Sequence, residues 1–201
     1  MDYRKPDYNQ ARPDSDQFNL DWQKSSVIEI DSNEPRLQAV VDSLRHTNIH
    51  GGALLARFRI EAEPGVAWFL TRNRLPEASF FTKFFNHEVV RQRFAAPLTD
   101  NAVPHDLGFG LEARFVAVAR LAEVISNGGA YLHFEGSDSE VLALANAFTD
   151  AAFDNRYRDT QAYVSWEPWS PWFKGIAWDA SFFWLDKKTG TATVLLITDT
   201  D

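Results

Sequence analysis

Apolar and polar positions along this chain fall into short segments, each with its own period. Residues 1–25 are polar, broken by Pro6 and Pro13, and predict an irregular N-terminal arm. Phe18, Leu20 and Trp22 alternate near its end and suit docking onto the body. Residues 26–30 form a short β-type run. Ser32 or Asn33 as cap, Pro35 in the first turn, and Leu37, Val40, Val41 and Leu44 at helical spacing predict a helix that stops near residues 46–48. Residues 53–62 read as a strand, Glu63-Pro64-Gly65 as a turn, and residues 66–71 as the returning strand of a hairpin. Pro76 and Glu77 then open a helix with an aromatic stripe of Phe80, Phe81, Phe84 and Phe85, followed by Val89. Residues 97–110 are loop-like.

Residues 111–125 carry both periods. Ala113, Ala117, Leu121 and Ile125 suit a helix, whereas Phe115, Val116 and Val118 suit a strand; the reading adopted is a strand around 111–118 followed by a helical turn or short helix. Asn127-Gly128-Gly129 breaks the segment, and residues 131–135 predict a strand. Ser137 and Glu140 have capping-box spacing, with Val141, Leu144, Ala145, Phe148 and Ala152 on one face behind them. Residues 163–166 suit a strand, and Pro168 and Pro171 exclude regular structure from the tryptophan-rich stretch that follows. Ile176, Trp178, Ala180, Phe182 and Trp184 alternate, residues 186–190 turn, and residues 192–198 return with apolar side chains on both faces. A strand apolar on both faces is central. The whole predicts a single α+β domain over 26–201, with a mostly antiparallel sheet of about five to seven strands, about three helices, and the C-terminal hairpin in the middle.

Composition narrows the function classes. The 201 residues include no cysteine, which removes disulfides, thiolate zinc sites and a cysteine nucleophile, and suits a reducing compartment; the expected location is the cytoplasm. No run is long and apolar enough for a membrane span, and the polar N-terminus has no signal-peptide core. The net charge of −8 argues against nucleic acid and anionic membrane as partners and favours a protein partner with a basic surface. A basic stretch at 72–93 runs against this trend; it could hold a local anion site, and a solvated helix face is the favoured reading.

Gly128-Gly129-Ala130-Tyr131, Trp169-Ser170-Pro171-Trp172-Phe173, Ala177-Trp178-Asp179 and Thr198-Asp199-Thr200-Asp201 resemble a pattern shared by a group of uncharacterised bacterial proteins. The resemblance spans roughly residues 108–201. It implies a common fold unit that includes the TDTD ending, and no chemistry.

Four constellations are candidates for function. The hairpin register predicts Asp179 near Asp199 and Asp201, a carboxylate set able to hold a divalent cation or to supply an acid and a base. His133 and Glu135 share a strand face as a second acid–base pair. Ser165, Ser170 and Ser181 have no partner identifiable from sequence, and there is no nucleophile-elbow or phosphate-loop motif. Among the tryptophans, Trp178 and Trp184 are expected in the core, and Trp169 and Trp172 on the proline-broken loop as an exposed partner-binding surface. The favoured function is a binding or inhibitor protein of the immunity type, without cofactor. The alternative is an enzyme, such as a metal-dependent hydrolase, built on Asp179, His133 and Glu135, with Asp199 and Asp201 as further metal ligands.

Overall fold

The computed structural model describes residues 9–99 and 103–201, in which six strands form one antiparallel sheet with helices on both faces. In chain order the elements are α1 (Ser15–Lys24), β1 (Ser26–Ile30), α2 (Pro35–Thr47), β2 (Gly52–Glu61), α3 (Pro64–Thr71), a 3-10 turn (Leu75–Ala78), α4 (Phe80–Asn86), α5 (Glu88–Arg93), β3 (Gly110–Glu112), α6 (Arg114–Asn127), α7 (Asp138–Phe153), a second 3-10 turn (Tyr157–Asp159), β4 (Thr160–Ser165), β5 (Ala180–Asp186) and β6 (Thr191–Thr198). The strand order is β1-β2-β6-β5-β4-β3, so the C-terminal hairpin occupies the centre, as its two-faced apolar pattern predicts.

That position dictates its composition. Every residue of β4, β5 and β6 is buried. Phe183, Leu185, Val194 and Leu196 face a first layer made by α1, α3, α4 and α5. Phe182, Trp184, Leu195 and Ile197 face a second layer made by α2, α6 and α7. The aromatic stripe of α4 lands on the first face: Phe183 meets Phe81 and Phe84 edge-on at centroid distances of 5.3 and 5.2 Å. Such pairs add about 0.5–1.5 kcal/mol each beyond the area they bury.

Three segments differ from the sequence expectation. The N-terminal arm is helical over α1, capped by Asp14, whose carboxylate accepts the Gln17 amide, and anchored by buried Phe18; residues 1–8 lie outside the described residues. The expected returning strand at 66–71 is helix α3. Pro64 starts it, and the Gly65 amide donates to Asp21 Oδ2 at 2.7 Å, so α1 sets its entry. Residues 111–118 are not a strand: only Gly110–Glu112 pairs with β4, and the helical period of Ala117, Leu121 and Ile125 wins from residue 114 onward. Residues 131–135 form no strand either; they run as a loop between α6 and α7. The capping box is present as predicted, with Ser137 and Glu140 each bonded to the other's backbone amide. Helices are more numerous than expected, seven among the described residues, because α1, α3 and the length of α6 were not foreseen and the helix expected from Pro76 onward is divided into α4 and α5 at His87.

Candidate functional site

The sequence candidates gather at one end of the sheet, where β2 and β5 begin and β4 and β6 finish. Four segments close this end: residues 48–51, 128–137, 166–179 and 199–201.

Asp179 is buried at this end, 2% exposed. Its carboxylate accepts the Thr198 hydroxyl at 2.6 Å and the backbone amides of Gly175 at 2.6 Å, Ile176 at 3.3 Å and Lys174 at 3.3 Å. It thereby closes the loop leading into β5. Asp199 is fully buried and accepts the His50 amide at 2.9 Å and the Ala130 amide at 2.8 Å, which ties the α2–β2 and α6–α7 loops to the end of β6. Gly129 is required beside it, since a Cβ there would overlap Asp199 Oδ2 and the Thr47 carbonyl.

These two carboxylates do not converge. Thr198 shares strand parity with Leu196 and carries Asp179 on the first-layer side, whereas Asp199 turns toward Thr47 and Gly129 on the second-layer side. Asp201 is exposed. No group of three His, Asp or Glu among the described residues could hold a metal ion. The expected carboxylate cluster is therefore replaced by two separate clamps whose oxygens are occupied by backbone donors. The expected His133–Glu135 pair is also not formed: both residues are exposed in a loop, and His133 Nδ1 contacts the Asn127 carbonyl at 2.7 Å.

Of the four tryptophan assignments, those of Trp169 and Trp178 differ from expectation. Trp169, expected on the surface, is buried; its indole N–H donates to Ser181 Oγ at 2.9 Å and its ring packs on Phe85 and Phe173. Trp172 is half-buried against Phe173. Trp184 is in the core as expected, but Trp178 is half-buried and lines an open cleft of about 210 Å³ with Trp166, Val124 and Asn127. Sequence alone did not single out Trp166, which is 47% exposed although its ring rests edge-on against Phe182. Pro168 and Pro171 did mark the loop as irregular. They could not tell which of its rings point inward.

The neighbouring loops add exposed Ile49, Tyr131 and Leu132, with the His50 ring edge-on to Tyr131 at 5.3 Å. This end is thus an aromatic and aliphatic rim held by two buried carboxylates. The rim is acidic. Its four segments carry Glu135, Glu167, Asp179, Asp199 and Asp201 against Lys174 as the one lysine or arginine. Glu135, Glu167 and Asp201 form no ion pair among the described residues.

A hydroxyl–imidazole contact lies elsewhere. Ser79, in a left-handed conformation (φ 50°), has its Oγ 3.4 Å from His105 Nε2 at the wall of a cavity of about 680 Å³. Thr82 holds the His105 backbone by donating to its carbonyl at 2.6 Å. No carboxylate among the described residues bonds the His105 ring, so the pair lacks the group that orients a catalytic base. The serines noted in the sequence are structural where bonded: Ser165 donates to the Leu107 carbonyl, and Ser181 accepts from Trp169.

No helix among the described residues is long and apolar enough to cross a membrane. No protein-family model, curated protein or solved structure matches this chain.

Proposed function

We propose that this domain is a binding protein of the inhibitor type, and that it masks a basic protein partner with the acidic aromatic rim formed by residues 48–51, 128–137, 166–179 and 199–201. The observation that carries this reading is the pairing of exposed Trp166, Tyr131, Leu132 and Ile49 with loops fixed by Asp179 and Asp199. Rigid aromatic side chains bind with little loss of conformational freedom, and tryptophan and tyrosine dominate interface energetics. The excess of unpaired carboxylates around them suits a cationic surface and speeds encounter with it. Immunity-type neutralisation of a toxic partner is the specific form this takes.

The test uses the full chain as bait in lysate from its native host, followed by reconstitution with the purified captured protein. Hydrogen exchange on the reconstituted complex should show protection confined to the four rim segments. Trp166→Ala with Trp178→Ala should weaken the complex at least tenfold, and added salt should slow association. A captured protein that protects other segments, or that binds the double variant as tightly as the wild type, overturns the assignment.

A further inference from the structure

The opposite end of the sheet, where β4 begins and β5 finishes, holds a different kind of concavity. A cavity of about 670 Å³ opens between β3, the start of α6 and the β5–β6 turn. Arg114, Arg158 and Lys187 line it, and Glu112 is the one carboxylate on its wall. None of the three cations is in an ion pair among the described residues, in a chain whose net charge is −8. Glu112 is engaged already: it lies 3.9 Å from Arg120 Nε and accepts the Ala113 amide at 3.2 Å.

The cations are placed at different depths. Arg158 is exposed and has no hydrogen-bond partner among the described residues. Arg114 is half-buried and donates to the Tyr157 carbonyl at 2.5 Å, which fixes its guanidinium. Lys187 is half-buried, and Asn73 Oδ1, at 3.4 Å, is the one hydrogen-bond partner of its ammonium among the described residues. Burial pulls the Lys187 pKa below the usual lysine value; Asp159 opposes this and Arg114 adds to it.

Two further features face the same space. Ala113 sits at the N-cap of α6 and offers no side-chain acceptor, so the first-turn amides keep their donors free at the positive end of the helix. Phe115 is 69% exposed, stacked on Tyr157 at 5.6 Å and 23° and with the Arg114 guanidinium 5.8 Å from its ring centroid, so an exposed aromatic surface stands beside the cations.

We propose that this cavity binds a phosphate monoester whose organic part is a flat ring, with the phosphate between Arg114, Arg158, Lys187 and the first-turn amides of α6, and the ring on Phe115. Guanidinium groups match phosphate oxygens in pairs, and a helix N-terminus adds donors at no cost in conformational freedom. The volume exceeds what a bare phosphate fills and lies within the range of small-molecule pockets, ~300–1,000 Å³. The site is separate from the loop rim, so the two assignments stand or fall independently.

Amide chemical shifts of the full chain, titrated with adenosine monophosphate, inorganic phosphate and sulfate at matched ionic strength, test this. The Arg114, Phe115 and Val116 amides should shift and saturate, with the nucleotide binding more tightly than phosphate and sulfate more weakly than either. Arg158→Gln, on an exposed side chain that folding does not need, should weaken binding about tenfold, as should Lys187→Gln. Phe115→Ser should reduce the nucleotide to the affinity of phosphate. Lys24→Gln, an exposed lysine at the end of α1 beside the β1 edge of the sheet, should change nothing. Equal response to sulfate and nucleotide, wild-type affinity in both cation variants, or no shift at these amides overturns the site. Equal affinity for nucleotide and phosphate overturns the ring contact.

Discussion

Removing the Asp179 carboxylate should test whether it is a clamp rather than a reactive group. Its two oxygens face four donors and no acceptor. In Asp179→Ala all four lose their partner. A hydrogen bond to a charged group contributes about 1.5–3 kcal/mol. The contacts at 3.3 Å from Lys174 and Ile176 are weak, and the exposed Lys174 amide recovers water. The two contacts at 2.6 Å, from the Gly175 amide and the Thr198 hydroxyl, therefore set the scale, at about 3–6 kcal/mol in total. Asp179→Asn should cost less. Its amide nitrogen can face Thr198, whose hydroxyl rotates to accept, while its oxygen keeps the Gly175 amide; about 1–3 kcal/mol is then lost. Urea unfolding measures both, and amide exchange at Gly175 should accelerate in the alanine variant. If Asp179→Ala lies within about 1 kcal/mol of wild type, or the Gly175 amide exchanges unchanged, the clamp is refuted. If Asn and Ala cost the same, the charge and not the acceptor geometry holds the loop.

Phe183→Ala should lose about 3–5 kcal/mol in urea unfolding, because the ring is fully buried between α4 and the sheet. Trp178→Ala should lose about half of that or less, since the ring is half-exposed in the cleft. Gly129→Ala should unfold the chain or displace the α6–α7 loop, seen as loss of protection at the Ala130 amide, because its Cβ has no space beside Asp199 and Thr47. Stability should fall on acidification partly through His87. Burial holds its pKa below the ordinary value of 6.5, with Glu88 opposing, and its neutral Nδ1 accepts the Val89 amide at the start of α5. The unfolded chain then binds the proton more readily, so this contribution is present above about pH 6.5 and is lost as pH falls through the folded-state pKa. His87→Asn, which keeps a capping acceptor, should flatten that part of the pH profile; an unchanged slope would exclude His87 as its source.

The sequence by itself determined the elements whose signal is local. Ser137 and Glu140 cap α7 through bonds within one turn, and β6 announced the central place of its hairpin because it is apolar or threonine on both faces. The α4 stripe was equally legible, since four rings in a seven-residue window have no soluble alternative to burial. Tertiary structure decided the rest, because the residues concerned meet partners far away in the chain. Residues 66–71 suit strand or helix by composition, and Asp21, contributed by α1, settled the matter at Gly65. Residues 131–135 belong to a loop whose start is held by Asp199 through the Ala130 amide and whose Tyr131 ring packs on His50, partners far away in the chain. Asp179 and Asp199 looked like a cluster because hairpin pairing brings their positions near, but strand parity and backbone donors from residues 50, 130 and 174–176 sent them to different tasks. For the tryptophans, sequence fixes how large and apolar a ring is, but which ring is covered depends on how a proline-broken loop crosses the sheet end. Trp169 went inward onto Phe85, and Trp166 stayed out at the rim.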